Sequence, residues 1–194
     1  MTGPREIIYS GVTFETIRLC LFNMYFYQED MPPEAIAQAM QYVVPMQHNF
    51  TNPLQGDEAH DTFIEYWIAR DVRIAQDFSQ STPDGGENAA YKMAVIDIRF
   101  VGVEAEVWAK AFHHINQRER VAEIFWQLCG GRILEGISDI IPVNIDYYGV
   151  GNSSVAFDLT IKVQYKESVE LSWKPLGYIS LAPGEIITGG VGAS

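Results

Sequence analysis

Apolar and polar residues change period several times along this chain of 194 residues, and the changes outline an order of elements. Phe14, Ile17, Leu21, Met24 and Tyr25 recur at helical spacing behind Thr13, a residue suited to capping, so a helix is predicted over 13–25. Pro32 and Pro33 stop what precedes them and suit the first turn of a short second helix, Glu34 to Tyr42, with Ile36, Ala37 and Met40 apolar. Pro45 and Pro53 then bracket a loop or short edge strand around Met46 to Phe50.

From Phe63 to Phe78 the pattern becomes alternating. Ile64, Tyr66, Ile68, Val72, Ile74 and Phe78 are expected on one face, with Arg70 and Gln76 breaking the series, as one long strand or two joined at a bulge. The run Ser81 to Asn88 reads as a flexible turn. A strand from Tyr91 to Val101 returns antiparallel, with Ala94, Ile96, Ile98 and Phe100 inward, which makes a long hairpin.

Gly102 ends that strand, and Glu104 and Glu106 suit the start of a helix whose apolar stripe is Val107, Trp108, Ala111, Phe112 and Ile115. A further helical stretch, Asn116 to Leu128, turns Val121, Ile124, Phe125 and Leu128 inward and stops at Gly130-Gly131. Val143, Ile145 and Tyr147 then alternate with polar residues, and Gly149 to Asn152 turns the chain. Val155, Phe157, Leu159, Ile161, Val163 and Tyr165 alternate without a break against Ala156, Asp158, Thr160, Lys162, Gln164 and Lys166. One face is core and the other polar, the mark of an antiparallel hairpin covered by helices on one side.

These elements predict an α+β fold: a mainly antiparallel sheet, helices packed on one face, a long hairpin and an extended C-terminal arm. Residues 1–167 are expected to form one domain and 168–194 the arm. The arm carries Leu171, Trp173, Leu176, Tyr178, Ile179, Leu181, Ile186 and Ile187 between prolines and glycines. So many large apolar side chains are costly to leave in water. The domain's own patterns look complete without them, so a neighbouring molecule is the expected cover. The glycine-rich end, Thr188 to Ser194, is low in complexity and flexible unless a partner orders it.

Composition narrows the function by exclusion. A hydrophobic fraction of 47% suffices for a core, and a domain of this length buries roughly 70% of its unfolded surface. Twenty-five acidic residues against 13 basic ones give a formal charge of −12. A protein that grips phosphates needs the opposite balance, whereas a negative wall past which DNA slides is compatible with it. The start of the chain has no basic segment followed by an apolar one, so no secretory signal is expected. Leu19 to Tyr27, interrupted by Asn23, is too short to cross a bilayer, and a soluble protein is expected. Cys20 and Cys129 match neither a metal knuckle nor a CxxC pair and read as buried, reduced thiols.

The usual signs of catalysis are missing from the sequence. Adjacent His113 and His114 point to different sides of a helix, unlike a metal-binding i, i+4 pair, and no HExxH motif accompanies them. The Asp57-Glu58-Ala59-His60-Asp61 loop, like His48, lacks the ligand spacing of a calcium loop or other metal site. There is no phosphate-binding loop, no GxGxxG and no GxSxG elbow. No enzyme, metal or cofactor is expected; a small metal-dependent hydrolase using His60 or His113 is the reading from another class.

The stretch from Ala94 to Glu170 resembles the bacteriophage tail-terminator and neck proteins, the small subunits of the head-tail junction. The matching elements are the strand end Asp97-Ile98-Arg99-Phe100-Val101-Gly102, the helix start Glu104-Ala105-Glu106-Val107-Trp108-Ala109 and the helix Arg120-Val121-Ala122-Glu123-Ile124-Phe125. The segment Gly136 to Pro142 and a long alternating strand closing near Glu167 complete the order. The long Met46 to His60 loop and the arm are unlike the shortest members.

The resemblance implies a virion structural subunit, assembled in the host cytoplasm, forming a closed homo-oligomeric ring, commonly six-fold, that ends the tail tube and joins it to the neck or head. Its implied partners are itself, the tail-tube protein and a neck or head-completion protein, with DNA only passing through the lumen and no membrane. A tail-tube subunit, or another neck or head-completion ring, is the alternative within the same class. Ring contacts are heterologous, one face meeting a different face of the next subunit. Candidates for them are Asp97, Arg99, Asp158, Lys162 and Lys166 on the polar sheet rows, and Leu171, Trp173, Leu176, Tyr178 and Ile179 on the arm. The same polar rows also fit a merely solvated sheet face.

Overall fold

A computed structural model describes residues 6–28, 30–46, 54, 61–82, 85–115, 118–134, 138–146 and 153–172. Within them the chain is α+β. An eight-stranded mixed sheet dominates, built around two long neighbours, β5 (Gly85–Val101) and β8 (Ser153–Ser172). They pair antiparallel along the whole of β5, from Gly85 opposite Ser172 to Val101 opposite Ala156.

On one flank of this pair, β3 (Phe63–Arg73) lies antiparallel to β5, and the short β2 (Val43–Pro45) lies parallel to β3. β4 (Phe78–Thr82) continues the flank along the start of β5. On the other flank, β1 (Glu6–Ser10), β6 (Gly131–Ile133) and β7 (Ile141–Asp146) each pair antiparallel with a different part of β8.

Three helices cover one face. The first, α1 (Phe14–Tyr25), begins with a reciprocal cap: Thr16 N donates to Thr13 Oγ1 at 3.1 Å and Thr13 N to Thr16 Oγ1 at 2.7 Å. Its buried residues Ile17, Cys20, Leu21 and Phe22 join Ala105, Ala109 and Phe112 of α3 (Ala105–Ile115) and Val121, Phe125 and Cys129 of α4 (Glu119–Cys129). Beneath them lie Ile64 and Tyr66 of β3, Ala94, Ile96, Ile98 and Phe100 of β5, and Leu159, Ile161, Val163 and Tyr165 of β8. The period-two pattern of the strands thus meets the period-3.6 stripes of the helices in one core. The short α2 (Pro33–Ala39) starts on Pro33 and runs into a single 3₁₀ turn, Met40–Tyr42. Arg18 fastens this region to α1 by donating to Val43 O at 2.9 Å and Met40 O at 2.8 Å.

Two glycines set the joints. Gly102, at φ +116°, takes the chain from β5 toward α3, and a Cβ there would stand 2.5 Å from Asp61 O. Gly130 ends α4 in the left-handed region at φ 60°, as the Gly-Gly stop predicts.

Several local expectations are corrected. The register of β3 on β5 shifts between Ile68 and Arg70, so beyond that bulge the faces exchange. Asp71 then lies opposite core-facing Ala94, while Val72 lies opposite Met93 and turns, with Ile74, away from the helices. The run 63–78 is not one strand, because β3 stops at Arg73 and β4 begins at Phe78. The segment 81–88 is mostly strand: β4 reaches Thr82 and β5 starts at Gly85.

Val107 is exposed, and α3 buries Ala105, Ala109 and Phe112, with Trp108 and Ile115 of the predicted stripe partly buried against the core. A short strand not expected from the pattern lies at Val43–Pro45, while the segment predicted around Met46 to Phe50 falls, after Met46, outside the described residues; β1 and β6 were not expected at all. Finally, β8 runs on through Ser172, so residues 168–172, placed in the arm by pattern, pair with β1 and β5.

Candidate assembly interface

The sheet face turned away from the helices carries the polar rows singled out in the sequence. Because β5 and β8 pair with Arg99 opposite Asp158, Asp97 opposite Thr160, Val95 opposite Lys162 and Tyr91 opposite Lys166, all five candidate polar residues share this outer face. They do not behave alike.

At one end the charges satisfy each other. Arg99 grips Asp158 with two hydrogen bonds, Nε to Oδ1 at 2.7 Å and Nη2 to Oδ2 at 2.9 Å, and its Nη1 stands 3.8 Å from Glu65 Oε2. Glu65, on β3, is only 4% exposed. Asp97 Oδ1 accepts a 2.6 Å bond from Thr160 Oγ1. Nearby, Leu54, Phe63, Val101 and Ala156 form a second small buried cluster on this same face. Arg99, Asp158 and Asp97 are therefore bound up within the subunit, and their first role is to hold three strands in register.

Farther along, the outer face opens. Lys162 is exposed and makes no ion pair among the described residues. Lys166 pairs with Glu87 and places its ammonium 5.2 Å from the ring centre of Phe78. Around it lie Val72, Ile74, Phe78 and Tyr91, each 36–46% exposed, with the Phe78 and Tyr91 rings 6.4 Å apart. Trp126 is 68% exposed on α4. A cleft of about 280 Å³ lies between Trp126 and Tyr91, lined also by Arg132, Gln164 and Lys166. Exposed apolar side chains thus gather on β3, β4 and β5, and the polar Lys166, Gln164 and Arg132 separate them from Trp126 across the cleft.

The opposite face at this level is polar. Lys92 bridges Glu167 at 2.7 Å and Asp71 at 3.3 Å, and Tyr165 donates to Asp71 Oδ2 at 2.9 Å. The bond to Glu167, aided by Asp71 and opposed by partial burial, raises the Lys92 ammonium above its ordinary value.

Of the arm candidates, only Leu171 has a described place: its backbone lies in β8, opposite Ile7 on one side and Gly86 on the other. Trp173, Leu176, Tyr178 and Ile179 lie outside the described residues, as do His48 and His60. His113 and His114 sit in the last turn of α3. Among the described residues, no group of three His, Cys, Asp or Glu side chains could hold a metal ion. No helix of the described residues is long and apolar enough to cross a membrane.

Sequence reasoning missed Glu65 as the third member of the Arg99 cluster. It also missed the outward strip, because the bulge that turns Val72 and Ile74 around leaves no mark beyond Arg70 breaking the alternation. Trp126 was missed too, although its place outside the inward stripe of Val121, Ile124, Phe125 and Leu128 was a signal for it. Compared with known proteins, the chain matches no family model, and no characterised protein aligns with it significantly.

Proposed function

We propose that this chain is a structural subunit of a bacteriophage particle that works by self-assembly, forming a closed homo-oligomeric ring that ends the tail tube and joins it to the neck or head. The observation that carries the reading is the outward exposed group of Val72, Ile74, Phe78 and Tyr91, with exposed Trp126 across the neighbouring cleft. An exposed group of this kind, with aromatic rings beside the paired Lys166 and Glu87, is what protein–protein contact uses.

Two further features support the reading. The order of elements from Ala94 to Glu170 is that of the tail-terminator and neck proteins the sequence resembles. β8 also feeds directly into 22 residues, 173–194, that include Trp173, Leu176, Tyr178 and Ile179. In the ring we envisage, the strip of one subunit receives a different surface of the next, the arm among them, and repetition of that heterologous contact closes the circle. The formal charge of −12 suits a lumen past which DNA slides without sticking.

Electron microscopy of the purified protein, alone and mixed with its tail-tube protein, tests this. Discrete rings or capped tubes are expected. Long filaments of the protein alone would favour a tube subunit, and a strict monomer even in the presence of tubes would overturn the proposal.

A further inference from the structure

Cys20 and Cys129 are 109 residues apart in sequence, yet their sulfurs lie 3.5 Å from each other in the core. Cys20 sits mid-way along α1, and Cys129 is the last residue of α4 before the Gly130 cap. Both are free thiols and both are fully buried.

We infer that Cys20 and Cys129 form a site of reversible oxidation, at which an intramolecular disulfide staples α1 to the end of α4 once the protein meets an oxidising environment. An S–S bond is about 2.0 Å long, so the sulfurs must close by roughly 1.5 Å. Side-chain rotation and a small shift at the end of α4 provide that. The oxidant is a low-molecular-weight disulfide. The Cys129 thiolate attacks one of its sulfurs and expels a thiolate, which takes up the proton that Cys129 gave off. Cys20 then loses its proton and attacks the Cys129 sulfur, expelling the second thiolate, which takes that proton. Two protein thiols are oxidised, one small disulfide is reduced to two thiols, and one S–S bond forms for the one broken.

Cys129 is the natural first nucleophile. The residue after it, Gly130, lines the cleft beside Trp126, so the end of α4 is where opening admits a reagent. The electrostatics agree: its hydrogen bond with Cys20 lowers the Cys129 thiol, against burial and with help from Thr16. The same hydrogen bond, then burial, pushes Cys20 well up.

The native protein is incubated in buffers of reduced and oxidised glutathione, free thiols are trapped with iodoacetamide, and intact mass is read. Both thiols should disappear together in one two-electron transition, with no glutathione left attached. The melting midpoint should rise on the order of 5–10 °C over the reduced protein, since the staple closes a very long loop. Cys20→Ala should lose the transition and instead carry one glutathione on Cys129. Thiols that stay reduced under prolonged excess of oxidised glutathione, stable glutathione adducts on the natural chain, or disulfides between chains would each overturn the inference. Should Cys20→Ala fail to fold, the titration of the natural chain decides alone.

Discussion

The two halves of the long β5–β8 pair are built from the same strands but are flanked differently by β3 and β4. Where α1, α3 and α4 lie on the sheet, the helix side is apolar, with Ile96, Ile98, Leu159 and Ile161, and the outer side holds the Arg99–Asp158–Glu65 cluster. Beyond the β3 bulge both faces become mixed. The helix side carries Asp71, Lys92 and Glu167, and the outer side carries Val72, Ile74, Phe78 and Tyr91. A sheet that served one monomeric core would keep its apolar side constant. The exposed side chains of the second half are the ones that the proposed assembly would cover.

Substitutions in the two halves should therefore have different consequences, and the largest effect on folding belongs to the covered half. Phe112, fully buried with its ring 6.3 Å from that of Phe100, should cost about 3–5 kcal/mol when changed to Ala, read from the urea midpoint. If the loss is under about 1 kcal/mol, α3 is not the lid of this core.

Next comes the outer cluster of the same half. Arg99→Met removes the two-pronged pair with Asp158 and the 3.8 Å contact with buried Glu65 and should cost roughly 2–3 kcal/mol, a value reduced because Asp158 reaches solvent. Adding Glu65→Leu should recover part of that loss. A double variant no better than Arg99→Met would show that the cluster is not a coupled unit.

On the open half, Phe78→Ser, Tyr91→Ser and Trp126→Ser should each change monomer stability by only about 0.5 kcal/mol while weakening assembly. Truncation after Ser172 should likewise leave the fold intact and weaken assembly, since it spares every β8 pairing with β1 and β5. Unfolding on truncation would mean that the arm completes its own subunit's core.

The smallest effect is one of pH. Burial pushes the Tyr66 phenol from 10.0 up to about 12, the nearby Arg18 opposing and Glu15 adding, and burial raises Tyr25 too. These phenols stay neutral in the folded chain after they would ionise in the unfolded one. Their contribution is thus complete below pH 10 and falls away as pH rises from 10 toward 12. Stability followed by circular dichroism should drop in that window, and Tyr66→Phe should soften the drop.

The sequence made the covered half legible because two independent periods agreed there: alternation in 94–100 and 155–165, and helical stripes at 14–25 and 121–128. Thr13 and Gly130 announced a helix start and a stop in the same way. The open half was illegible for a physical reason. One extra residue in a bulge inverts every later side chain of β3, and Arg70 interrupting the alternation was its only trace. β1 and β6 escaped because Glu6–Ser10 and Gly131–Ile133 are too short to show a period, and they become strands through their pairing with β8. The polar candidates divided along the same line: Asp97, Arg99 and Asp158 belong to the satisfied half, Lys162 and Lys166 to the open one.

The most direct test compares the natural chain with a Phe78→Ser, Tyr91→Ser, Trp126→Ser triple variant by sedimentation, each alone and mixed with tail-tube protein. The account predicts closed oligomers or capped tubes for the natural chain and a monomer for the variant, with melting midpoints within a few degrees of each other. Equal assembly of the two, or a natural chain that stays monomeric in both conditions, would contradict it.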